Sequence, residues 1–149
     1  MKETTLCYIE QNNQYLMLHR TKKLFDPNED KWIGVGGKLE IDETKEQCLV
    51  REVKEETGLI LLDYKYRAKI NFYSDIYEDE IMYLYTATSF IGNIIECNEG
   101  DLAWVDKEKV MSLNLWEGDK IFLEKLLQKD EEFFELSLYY EGDKLKKFI

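Results

Sequence analysis

The chain predicts a mixed α/β fold, a mixed β-sheet between helical layers, and three observations carry that prediction. Leu59–Tyr73 and Glu80–Phe90 are rich in β-branched and aromatic residues, as strands are. Leu49, Val50 and Val53, and later Ile121, Phe122 and Leu126, recur at helical intervals. Strand-type and helix-type stretches alternate along the chain, and such interleaving places helices on the faces of a sheet. With 149 residues, 44% hydrophobic and 13% aromatic, the chain can build one domain over residues 1–149 with a real core.

Thr4–Glu10 and Gln14–Arg20 read as strands joined by a turn at Asn12 and Asn13, residues that tolerate left-handed backbone. The polar stretch from Phe25 to Asp30 contains Pro27, the lone proline, and reads as a loop. Trp32–Val35 is a short third strand, and Gly34, Gly36 and Gly37 let backbone there approach a ligand or another segment. A helix follows, with Asp42 or Thr44 as its N-cap and Gly58 as its left-handed terminator. The two long strands come next, separated by a polar turn at Ser74–Asp79. Leu102–Val105 is another short strand, Val110–Leu115 a helical segment and Asp119–Gln128 a closing helix. Phe133–Tyr140 and Leu145–Ile149 form a hairpin around Glu141, Gly142 and Asp143.

Charge narrows the function. A net charge of −11 argues against a large nucleic-acid-binding surface, so an anionic substrate must be small and received through metal ions and local cations. Cys7, Cys48 and Cys97 are odd in number, scattered and without a C-x-x-C pair, which points to reduced thiols rather than disulfides or zinc. The opening MKETTLCYIE has no sustained apolar segment and no run approaches a membrane span, so the expected location is cytoplasmic.

Residues 37–59 read GKLEIDETKEQCLVREVKEETGL. On a helix advancing about 100° per residue, Glu52, Glu55 and Glu56 share an arc of about 100°. Carboxylates crowded to about 5 Å repel by roughly 3 kcal/mol per pair at an effective dielectric of about 20, so the face needs cations. Hard divalent ions with oxygen ligands suit it, and Leu49, Val50 and Val53 supply a neighbouring stripe to seat the helix on a sheet.

The spacing G-x5-E-x7-R-E-V-x-E-E-x-G-L, carried by Gly37, Glu43, Arg51, Glu52, Val53, Glu55, Glu56, Gly58 and Leu59, resembles the Nudix hydrolase signature at every defined position. The resemblance implies the Nudix α/β/α sandwich and cleavage of a nucleoside diphosphate linked to a further group, by attack of water on phosphorus with Mg²⁺, or Mn²⁺ in its place. It implies that Glu52, Glu55, Glu56 and the Gly36 carbonyl hold metal, with Glu52 also a possible base. Glu99, on a loop beyond the box, is the candidate for a further metal contact or water activation, and Glu96 is its competitor. Arg51 is the organiser, pairing with Glu55 one turn on or reaching back to Glu43. Lys38 beside the box, with Arg20, Lys22 and Lys23, is a candidate phosphate contact. His19, the single histidine, ends an apolar strand and reads as structural.

The C-terminal half bears on substrate. Trp116 and Asp119, followed by the apolar helix and hairpin, resemble the base-holding segment of MutT-like oxidised-purine nucleoside triphosphatases, while Gly118 and Ile33 depart from that pattern. Phe72 matches a pocket aromatic and can pack on a purine. The resemblance implies hydrolysis of a nucleoside triphosphate to monophosphate and pyrophosphate, the base being an oxidised purine such as 8-oxoguanine in 8-oxo-dGTP. Dinucleoside polyphosphate hydrolysis is the alternative, with Tyr73 and Tyr77 near its tyrosine position. A non-catalytic nucleotide-sensing Nudix module is a further one, against which the intact box stands.

Overall fold

The computed structural model describes residues 1–23, 25–128 and 132–149. β1 (Lys2–Gln11) and β2 (Gln14–Arg20) form a hairpin whose turn residues, Asn12 and Asn13, both take positive φ, 52° and 60°. β1 then serves three neighbours. It pairs with β2 only at its end, with β4 (Val35–Lys38) antiparallel through Thr4–Cys7, and with β6 (Glu80–Ile91) in parallel through Lys2–Ile9.

β5 (Ile60–Ser74) is antiparallel to β6 with several irregularities in register, and parallel to β8 (Phe134–Glu141). β9 (Lys144–Phe148) closes a hairpin with β8, while β3 (Trp32–Ile33) and β7 (Gly100–Asp106) flank β2. The order β3-β2-β1-β6-β5-β8-β9, with β4 on β1 and β7 on β2, is the expected mixed sheet.

Alternation along β1 and β2 makes two cores. Leu6, Tyr8, Tyr15 and Met17 face helix α2 (Glu117–Leu127), which buries Phe122, Leu123 and Leu126 against them. Cys7, Ile9, Leu16 and Leu18 face helix α1 (Lys45–Thr57), which contributes Leu49 and Val53. The sheet therefore lies between helical layers. Thr44, not Asp42, is the α1 N-cap: its hydroxyl accepts from the Gln47 N–H at 3.1 Å and the Gln47 side chain accepts from the Thr44 N–H at 3.0 Å. Gly58, at φ 81°, ends the helix.

Two expected elements change. Trp32–Val35 divides at Gly34 into β3, which pairs with β2, and the start of β4, which pairs with β1. A Cβ at Gly34 would stand 2.7 Å from the Cys7 carbonyl oxygen, so the crossing needs glycine. Val110–Leu115 contracts to a 3₁₀ turn at Val110–Ser112, because the Asn114 carbonyl accepts from the Trp32 N–H at 2.9 Å and draws the chain out of helix. Among the described residues, no helix is long and apolar enough to cross a membrane.

Candidate active site

β4 lays its glycines across α1. The Gly36 N–H donates to Glu56 Oε2 at 2.9 Å. A Cβ on Gly36 would overlap the Thr5 carbonyl oxygen at 1.9 Å, and one on Gly37 would meet the Glu52 carboxylate at 2.3 Å. These glycines let a strand lie directly over the acidic face of the helix.

Arg51 gathers that face. Its Nε and Nη2 donate to the two oxygens of Glu43 at 2.7 and 2.9 Å, and its Nη1 to Glu52 at 2.7 Å and Glu55 at 3.2 Å. Nη2 also donates to the Lys38 carbonyl at 3.1 Å. Both expected partners, Glu43 and Glu55, are thus engaged by one guanidinium. Its hydrogen bonds hold the Glu43 carboxyl down to about 2.

Glu56 is buried, and its proton affinity is raised by that burial and then by Glu99, whose carboxyl lies against it. Burial also raises Glu52, against the opposing pull of Arg51. Glu99 is steadied from the other side by Arg20 Nη1 at 3.2 Å, whereas the exposed Glu96 pairs with Lys22 at 3.4 Å. Lys22 Nζ also donates to the Cys97 carbonyl at 3.1 Å. Arg20 and Lys22 therefore hold the Glu99 loop, while Lys23 and Lys38 are exposed. His19 stacks on Trp32 with ring centroids 4.4 Å apart and shares its Nε2 with Asp30 at 2.8 Å.

The donor set here is all oxygen, which fits a hard divalent ion rather than a soft one. Among the described residues, no three acids, histidines or cysteines stand close enough to form a ready ion cage. Arg51 holds Glu52 and Glu55, and the Gly36 N–H holds Glu56. A cavity of about 310 Å³ abuts this face at Lys38 and Glu43 and is not lined by the three helix glutamates.

The second cluster is at the start of α2. The Trp116 indole N–H donates to Asn28 Oδ1 at 2.7 Å, Lys31 Nζ lies 5.2 Å from a Trp116 ring centroid, and Tyr140 meets the ring edge-on at 5.7 Å. Asp119 is buried beneath, and burial followed by the charge of Glu80 pushes its carboxyl up to about 7, with Lys31 opposing. Among the described residues, the nearby Tyr8 hydroxyl is buried with no hydrogen-bond partner. Gly118 is closely packed here: its N–H donates to the Tyr140 hydroxyl at 2.7 Å, and a Cβ would stand 2.6 Å from both that hydroxyl and the Leu138 side chain, which would have to shift. Phe72 packs on this side of the sheet, and Ile33 packs into the other core. Nothing local marks Asn28, Lys31 or Tyr8, whose neighbours here are remote in the chain.

Residues 2–126 match the NUDIX domain, and the chain belongs to that family. It is a Nudix hydrolase, of a family that generally uses divalent metal ions. It is 34% identical over 101 residues to the oxidized purine nucleoside triphosphate hydrolase of Danio rerio, covering 66% of this chain and 64% of that one. An uncharacterized Nudix hydrolase of Bacillus subtilis is 26% identical over 133 residues, covering 86% and 80%. The crystal structure of a MutT protein from Bacillus halodurans superposes with a TM-score of 0.89 at 22% identity, covering 100% of this chain and 97% of that one.

Proposed function

We propose that this Nudix hydrolase cleaves purine nucleoside triphosphates to the monophosphate and pyrophosphate, with Mg²⁺ and with Mn²⁺ as a substitute. The observation that carries the reading is the acidic face of α1: Glu56 is bonded to the Gly36 N–H and lies against Glu99, burial raises the proton affinity of Glu52 and Glu56, and Arg51 bonds both Glu52 and Glu55. Glu52, Glu55, Glu56, Glu99 and the Gly36 carbonyl would hold the ions, which supply an activated water and neutralise the leaving pyrophosphate. Arg51 orders the carboxylates, Glu52 or Glu99 accepts the water's proton, and Lys38 meets phosphate.

On the other side of the sheet, Trp116 and Phe72 offer aromatic surface to a purine and Asp119 offers a carboxyl to its edge. The Danio rerio relative, named for oxidized purine triphosphates, supports an oxidised base such as that of 8-oxo-dGTP. The test is a panel of canonical and oxidised triphosphates, ADP-ribose and diadenosine polyphosphates, with products resolved. Mg²⁺-dependent release of pyrophosphate from purine triphosphates is expected. Preference for diadenosine polyphosphates, or full turnover in EDTA without divalent ions, would overturn the reading.

A further inference from the structure

Asp26 lies in the loop between β2 and β3, buried at 7% exposure beside Phe25 at 98%. Its two oxygens are divided between two partners. Oδ2 accepts from Arg20 Nε at 2.8 Å, and Oδ1 accepts from the Asn28 backbone N–H at 3.0 Å. Each partner leads onward. Arg20, itself buried, turns Nη1 to Glu99 at 3.2 Å, and the Asn28 side chain accepts from the Trp116 indole at 2.7 Å. An unbroken run, Glu99–Arg20–Asp26–Asn28–Trp116, joins the carboxylate face to the aromatic at the start of α2.

A buried ion pair is a weak source of net stability, because desolvation offsets much of its attraction; what it adds is fixed geometry. A carboxylate with one oxygen on each half of the run cannot shift toward one partner without stretching the bond to the other. We propose that Asp26 is a positioning residue that ties the placement of Trp116 to the placement of Glu99, so that a well-seated base improves turnover rather than affinity alone. This rests on the base-site reading above.

Asn28→Ala removes the Trp116 acceptor at a part-exposed loop position while leaving Asp26, Arg20 and Glu99 intact. It should lower kcat on the preferred purine triphosphate at least about fivefold with KM within about twofold, the mark of an interaction expressed in the transition state. The decisive measurement is the double variant with Glu99→Gln. The double variant should be no slower than Glu99→Gln alone, because the link then has nothing left to act on. Effects that multiply would overturn the proposal while leaving Glu99 in the reaction, and a Glu99→Gln enzyme at wild-type rate would remove both. Asp26→Asn, folded, should repeat the kcat loss; wild-type turnover in it would also overturn the link. A folded Asp119→Asn enzyme with an unchanged purine preference removes the base-site reading, and that result is separable from a failed Asn28–Glu99 cycle. The Asn28 cycle decides the matter whether or not Asp26→Asn folds.

Discussion

At the scale of residues, Glu56 is the sharpest test of the acidic face, since it is buried, bonded to the Gly36 N–H and pressed against Glu99. Glu56→Gln keeps the shape and should lower kcat by about 10²-fold or more, as loss of electrostatic stabilisation at a metal site does. Circular dichroism should show an unchanged fold, and wild-type turnover would refute the assignment. Asp119 makes a prediction in pH. Its folded-state value of about 7 lies above the unfolded value of about 3.9, so between the two the folded protein binds the extra proton. Stability should therefore fall as pH rises from about 4 to about 7, at up to about 1.4 kcal/mol per unit from this group. Urea unfolding of Asp119→Asn should lack that part of the slope. Equal slopes would show that burial and the charge of Glu80 do not hold it protonated. The acids of the box were legible because helical periodicity places Glu52, Glu55 and Glu56 on one face. Their neighbours were not: Arg20 reads as a free cation until the fold brings Glu99, 79 positions later, within 3.2 Å.

At the scale of elements, α1 owes its start to one reciprocal pair of hydrogen bonds between Thr44 and Gln47. Thr44→Ala should destabilise the protein by about 1 kcal/mol in chemical denaturation, while Thr44→Ser, which keeps the capping hydroxyl, should lie within about 0.5 kcal/mol of wild type. A silent Thr44→Ala would show that this pair does not hold the helix start. Asp42 and Thr44 are both good caps by type, and the sequence left them open; the structure selects Thr44 because Asp42 takes a left-handed conformation at φ 64° in the turn before it. The expectation for Trp32–Val35 failed for a related reason. Nothing local marks Gly34 as a change of partner, because its constraint comes from the Cys7 backbone on another strand. Val110–Leu115 has enough apolar residues for a helical turn, but Asn114 bonds to Trp32. Alternation and helical spacing identified the long strands and both helices; they are silent about pairing across the chain.

At the scale of the whole molecule, a net charge of −11 makes ion binding a stability matter as well as a catalytic one. A divalent ion that binds only the folded acidic face should stabilise it by mass action, by about 1.4 kcal/mol at ten times its Kd, and so raise the melting temperature. Thermal unfolding with and without Mg²⁺ measures this, and Glu56→Gln should reduce the gain. No gain in the wild type would argue that the carboxylates do not gather an ion. The mixed sheet was legible as a class, but its order was not, because β1 pairs in parallel with β6, some 78 residues away. That pairing also orders events in time. On a ribosome, β1 gains its parallel neighbour only after β6 has emerged, and β5 likewise waits about 66 residues for β8. Closing loops of that length is slow, so refolding of this chain should be governed by the search for parallel neighbours rather than by helix formation.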